Sequence, residues 1–142
     1  MREQNYKNHA RFITLYHRIL PSLILVTLIG GIINLVQSSE GNLYSASLIV
    51  SIVLIICVFY WYIRSFPLKA QDRAIRAEEN LRHFILTGTP LDSRLTLSQI
   101  TALRFASDEE FIPLSQRAVN ENLSGRAIKK QIKNWRPDWE RV

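Results

Sequence analysis

The sequence has few of the residues that build disulfides, metal centres or catalytic sites. It contains one cysteine and three histidines, so an internal disulfide is excluded. Cys57 lies in an apolar run without a neighbouring cation and is predicted to be a small buried hydrophobe. No histidine pair has the three- or four-residue helical spacing of metal ligands, and no phosphate loop, nucleophile elbow or cysteine cluster occurs. The sequence therefore predicts a protein that is not an enzyme and has no cofactor or metal.

Acidic residues are scarce in the first half of the chain, and two long segments have no charge at all. Only Glu3 and Glu40 precede Asp72, although the formal net charge of the chain is +6. The uncharged runs are residues 19–36 and 43–63, which as helices would be about 27 and about 31 Å long, enough to cross a bilayer core. We expect a transmembrane hairpin over 19–63 with 37–42 as its external loop. The alternatives are a buried helical pair in a soluble protein and, for the first run, a cleaved signal peptide.

Basic residues flank the hairpin on both sides, whereas its loop contains neither lysine nor arginine. Such residues collect on the cytoplasmic side of a membrane, so both termini are predicted to be cytoplasmic, with residues 1–18 as a basic N-terminal segment. The flanking residues are Arg2, Lys7, Arg11 and Arg18 before the first span, and Arg64, Lys69, Arg73 and Arg76 after the second.

Small residues at four-residue spacing predict how the two spans pack. Thr27 and Gly31 on the first span lie at nearly the same depth as Ser51 and Ser47, respectively, on the second. Small side chains allow membrane helices to approach closely. The alternative is that glycine and serine are simply common in such helices.

Residues 64–142 are predicted to form a small cytoplasmic domain of about four helices, so the fold class is all-α. Pro67 suits a first helical turn, and Gly88 and Pro90 end this helix. An apolar stripe runs along it and predicts contact with a partner or a second copy; the alternative is packing on later helices of the same domain. The stripe consists of Ala70, Ala74, Ala77, Leu81 and Phe84.

Capping patterns place the remaining helices. Thr96 with Gln99 and Ser107 with Glu110 form capping boxes, and Ser124 caps a last helix that is expected to reach Arg136. This last helix has a basic and an apolar face, which predicts contact with the membrane surface or an acidic partner, or else closure of the domain core. The basic residues are Arg126, Lys129, Lys130 and Lys133, and the apolar residues are Ile128, Ile132 and Trp135.

Four stretches give the chain a family resemblance. They are residues 3–11 (EQNYKNHAR), 71–79 (QDRAIRAEE), 81–84 (LRHF) and 103–111 (LRFASDEEF). Together they resemble an uncharacterised family of small bacterial two-pass membrane proteins, over nearly the whole chain. The resemblance implies location in the bacterial inner membrane and supplies no activity.

The sequence favours a non-enzymatic adaptor or structural protein that is anchored by the hairpin. Its expected partners are the lipid bilayer and either further copies of the chain or the subunits of a membrane complex. An element of an oligomeric transport assembly is the alternative, because two helices cannot enclose a pore by themselves. Nucleic-acid binding is a remote alternative: three helices ending in a basic one faintly resemble a helix-turn-helix, but an acidic helix lies beside it.

Overall fold

The computed structural model describes residues 3–139, which form five α-helices and no strand. A π-helical turn, Leu15–Ile19, leads into the first helix, and a 3₁₀ turn, Glu40–Asn42, leads into the second. The α-helices are α1 (Leu20–Gln37), α2 (Leu43–Thr87), α3 (Leu97–Leu103), α4 (Asp108–Asn120) and α5 (Gly125–Gln131). The chain divides into two compact units. One is residues 12–66, here called the helix pair; the other joins the N-terminal residues up to Arg11 with those from Pro67 onward and is called the helical unit.

The helix α2 is longer than the sequence predicts. Pro67 was expected to begin a new helix, but it lies inside α2. A proline without an N–H leaves the carbonyl of Ile63 without its helical partner, yet the helix continues on both sides. The predicted end is confirmed, because Gly88 adopts φ +75° and donates its N–H to the carbonyl of Phe84 at 2.8 Å.

Within the helix pair, α1 contacts α2 through residues that recur at intervals of four and three along each helix. This line of contact is here called the seam. Gly31 is buried there, and a Cβ added to it would lie 3.5 Å from Val50 and 3.6 Å from Ile49. Residues 38–42 connect the two helices and are here called the connector. At the opposite end of the pair, the Tyr16 hydroxyl donates to the Tyr60 carbonyl at 2.9 Å, and the two rings stack. The buried and half-buried seam residues include Ile24, Leu28, Gly31 and Leu35 on α1, and Ala46, Val50, Val53 and Cys57 on α2.

Of the four small residues predicted to pack between the two helices, Gly31 is buried in the seam, whereas Thr27 and Ser51 are not. Thr27 and Ser51 are exposed, and their hydroxyls donate to carbonyls of their own helices, those of Leu23 and Ser47. Ser47 is half-buried and likewise bonds within α2. A short hydroxyl side chain can donate its hydrogen bond to a carbonyl of the preceding helical turn. The seam is therefore apolar, and the two helices approach each other closely at Gly31.

We expect Gly31→Leu to open this seam, and Gly30→Leu to leave it closed. A leucine at 31 would have to displace Val50 and Ile49, whereas nothing lies within 4 Å of a Cβ at Gly30. Both changes replace adjacent helical glycines by the same residue, so helix propensity is matched. Gly31→Leu should lower the thermal unfolding temperature of the helix pair in the detergent-solubilised full-length protein by several degrees, measured by circular dichroism, and Gly30→Leu should leave it unaltered. Equal unfolding temperatures for the two variants would contradict this packing.

The helical unit is organised around an apolar core between α3, α4 and α5. Its largest fully buried side chains are Phe105, Phe111, Leu103 and Ile128. The predicted capping box at α3 is confirmed, since Thr96 and Gln99 exchange both hydrogen bonds. Ser124 also caps α5 as predicted, accepting from the Ala127 N–H at 3.2 Å.

Two local predictions in this unit are wrong. Ser107 precedes α4 but makes no side-chain cap; instead the Glu110 carboxylate accepts the backbone N–H groups of Lys133 and Asn134 at 3.1 and 3.2 Å. The last helix was expected to reach Arg136 but ends at Gln131, because Ile132 is extended. The chain then pairs with residues 105–107: Arg136 donates to the Phe105 carbonyl at 2.8 Å, and Ser107 donates to the Asn134 carbonyl at 3.1 Å.

Candidate functional site: an exposed face of α2

The part of α2 that belongs to the helical unit has two opposite faces. One face packs on the unit's core, with Ile75 and Glu79 buried and Asp72 and Arg82 half-buried. The apolar stripe is displaced from these positions by two residues, which corresponds to roughly 200° around a helix of 3.6 residues per turn. The stripe therefore lies on the side of the helix away from the core.

All five stripe residues are exposed. Leu81 is 58% and Phe84 53% exposed, and Ala70, Ala74 and Ala77 are exposed as well. Packing on the later helices, the alternative left open by the sequence, is therefore wrong. Ile85, 73% exposed, extends the apolar surface next to Phe84. An apolar surface of this kind, bordered by polar residues, is typical of an interaction site.

Arg82 holds the core-facing side of this helix in place. Its Nη1 donates to Glu79 Oε2 at 3.0 Å, its Nε to Asp108 Oδ1 at 2.7 Å, and its Nη2 to the Ala106 carbonyl at 2.7 Å. The guanidinium also lies 4.4 Å from the centre of the Phe111 ring. One side chain thus joins α2 to the start of α4, which fixes the rotation of α2 and the direction in which the stripe faces.

Charged residues border the stripe on both sides. Arg73 and Glu78 are exposed, and neither is among the described residues that form ion pairs within the chain. On the Arg73 side, a groove of about 770 Å³ separates α2 from the loop that carries Asp92. The Arg94 guanidinium hydrogen-bonds to that carboxyl and lowers the pKa of Asp92 to about 2, so the two side chains form an ion pair at the edge of the groove.

The basic amphipathic segment, which is α5 together with the residues up to Trp135, does not present its apolar face to the outside, as binding to a membrane would require. Ile128 and Ile132 are buried in the core and Trp135 packs partly against it. This apolar face therefore closes the domain core and is not available to a bilayer. On the polar side, Arg126 donates to the Tyr6 hydroxyl at 3.1 Å and Lys129 lies 5.4 Å from the centre of the Phe105 ring, while Lys130 and Lys133 are exposed.

The N-terminal segment is part of the helical unit, which sequence reasoning missed. Gln4 is buried, accepts the Asp138 N–H at 2.7 Å and donates to the Asp138 carbonyl at 3.4 Å. The His9 ring packs against Phe105 and Trp135, with centroid distances of 5.8 and 5.7 Å. These contacts join residues more than 95 positions apart, so no local pattern could have indicated them.

The fold defines an all-α protein class with two helices long and apolar enough to cross a membrane, Leu15–Gln37 and the first part of Glu40–Thr87. Among residues 3–139, no group of three or more histidine, cysteine or acidic side chains is arranged to hold a metal ion. The chain belongs to the family of unknown function DUF6526, whose sequence model matches residues 1–142. Searches of curated proteins and of solved structures found no match to the chain.

Proposed function

We propose that this chain is a non-enzymatic adaptor of the bacterial inner membrane. Residues 12–66 anchor it as a two-span hairpin, and the helical unit stands in the cytoplasm and docks to protein through the apolar stripe. The observation that carries this proposal is the exposure of all five stripe residues on the side of α2 away from the unit's own core.

Burial supports the membrane anchor. In the most apolar 18-residue stretch of each of the two long helical segments, only 6% and 11% of the residues are buried within the chain. The core helices of a soluble protein are mostly buried, whereas membrane spans leave their apolar side chains to lipid. Charge supports the orientation, because the residues that flank the hairpin are basic on both sides and the connector has no lysine or arginine.

The N-terminal segment provides independent support for termini on one side. Gln4 and Asp138 exchange two hydrogen bonds, and these residues flank the hairpin on opposite sides in sequence. A unit built from both flanks can fold only where both are in the same compartment, which requires an even number of crossings.

A photo-crosslinker at Phe84 tests the docking function. Phe84 and Trp139 are comparably exposed, 53% and 55%, but only Phe84 lies on the stripe. With benzoylphenylalanine at either position in the full-length protein in native membranes, we expect a defined protein adduct from position 84 and none from position 139. Mass spectrometry would identify the adduct. Absence of any protein adduct at 84, or equal diffuse labelling at both positions, would contradict a docking role for the stripe.

A further inference from the structure

The spacing of the apolar stripe matches the seam of a two-stranded coiled coil. The intervals from Ala70 to Phe84 are four, three, four and three residues, which is the alternation of a and d positions in a heptad. Ala74 and Leu81 then occupy a positions, whereas Ala70, Ala77 and Phe84 occupy d positions. The three alanines allow close approach at one end, and Leu81 and Phe84 supply large apolar side chains at the other.

The charges beside the stripe complement each other in a way that points to a second copy of this chain. In this register Arg73 is a g position and Glu78 is the e position of the next heptad. In a parallel pair each g residue lies beside that e residue of the partner helix. Arg73 of each copy would therefore meet Glu78 of the other, and both side chains are exposed in the single chain.

We propose that the stripe pairs with the same stripe of a second copy, as a short parallel coiled coil with two symmetric Arg73–Glu78 ion pairs. The inference rests on the proposed function, since it names the partner of the same surface. Charge favours the parallel arrangement, because only there does Arg73 of one copy lie beside Glu78 of the other. A closed two-fold contact of this kind uses one surface patch twice and forms a dimer.

Disulfide formation between identical positions tests the parallel register. In a full-length Cys57→Ala background, cysteines replace Ala70, Phe84 or, as the control, Arg76, which is exposed on α2 but lies off the stripe. In native membranes under mild oxidation, we expect covalent dimers with cysteine at 70 and with cysteine at 84, each in at least about tenfold higher yield than with cysteine at 76. In an antiparallel pair a positions face d positions of the partner, so neither cysteine would meet its own copy and neither variant would form more dimer than the variant with cysteine at 76. That result would overturn the inference, as would dimers from only one end.

Charge reversal tests the ion pairs in the same assay. With cysteine at 84, Arg73→Glu and Glu78→Arg each place like charges opposite one another and should lower the dimer yield about tenfold. The double change restores both pairs, and its yield should return to within about twofold of the parent. Arg76→Glu, the matched charge change away from the g and e positions, should leave the yield unaltered. A double variant as poor as the singles would overturn the proposed pairing.

The photo-crosslinking experiment separates the two levels of the proposal. If no disulfide dimer forms and the crosslinker at Phe84 captures a different protein, the second-copy inference is overturned and the docking function stands. If neither a dimer nor an adduct forms, both are overturned. A disulfide dimer together with an adduct of twice the chain's mass supports both.

Discussion

Arg82→Met should destabilise the helical unit by about 3–5 kcal/mol, because it leaves a buried carboxylate without its main partner. Glu79 is 4% exposed, and after the change its nearest cation would be Arg136, 3.8 Å away and more than half exposed. The carbonyl of Ala106 would lose its donor as well. Unfolding of the full-length protein in mild detergent measures the effect, followed by the fluorescence of Trp135 in a background where Trp61 and Trp139 are both replaced by Phe.

Arg117→Met is the matched control for this prediction. Arg117 also pairs with a glutamate, Glu121, at 2.8 Å, but both side chains are about half exposed, and such pairs contribute at most about 0.5 kcal/mol. Adding Glu79→Gln to Arg82→Met removes the stranded charge and should recover part of the loss. If Arg82→Met and Arg117→Met have equal effects, the interpretation of Arg82 as the residue that fixes α2 is wrong.

Phe105→Ala should cost a similar amount, about 3–5 kcal/mol, because it opens a cavity in the middle of the core. The Phe105 ring is fully buried and lies 5.2 Å from the centre of the Trp135 ring. Phe84→Ala is the control: the same substitution at a residue that is 53% exposed should change the unfolding free energy by less than about 1 kcal/mol, measured at dilutions where the chain is monomeric.

Proteolysis adds a specific signature to the Phe105 prediction. His9 packs on the Phe105 ring, so the alanine variant should release the N-terminal segment, and trypsin should cleave after Lys7 and Arg11 faster than in the parent. Phe84→Ala should not change this rate. Unchanged cleavage in the Phe105 variant would mean that the segment is held by other contacts, such as those of Gln4 with Asp138.

Features that depend on neighbouring residues were predicted well from the sequence. The two long apolar helices, the all-α fold class, the Thr96–Gln99 capping box and the end of α2 at Gly88 all follow from residues within a few positions of one another. The continuation of the helix α2 through Pro67 was not predicted, because a proline gives the same local signal at the first turn of a helix and inside one.

Features that depend on distant residues could not be predicted. The end of α5 is set by the pairing of Trp135 with Ala106, which no helical period reveals. The role of Arg82 requires Asp108, 26 positions away. The stripe itself was visible in the sequence, but whether it faced the core or the outside depended on which side of α2 the later helices would occupy. Its exposure is therefore a finding of the structure.

Cysteine accessibility tests most directly the claim that a two-span hairpin anchors a cytoplasmic helical unit. In a Cys57→Ala background, single cysteines replace three exposed residues: Ala10 in the N-terminal segment, Ser39 in the connector and Ser93 in the helical unit. With a membrane-impermeant maleimide, we predict that the cysteine at 39 is labelled in intact spheroplasts, and that those at 10 and 93 are labelled only after lysis. Labelling at 93 in intact spheroplasts, or labelling of 10 and 93 from opposite sides, would contradict the account.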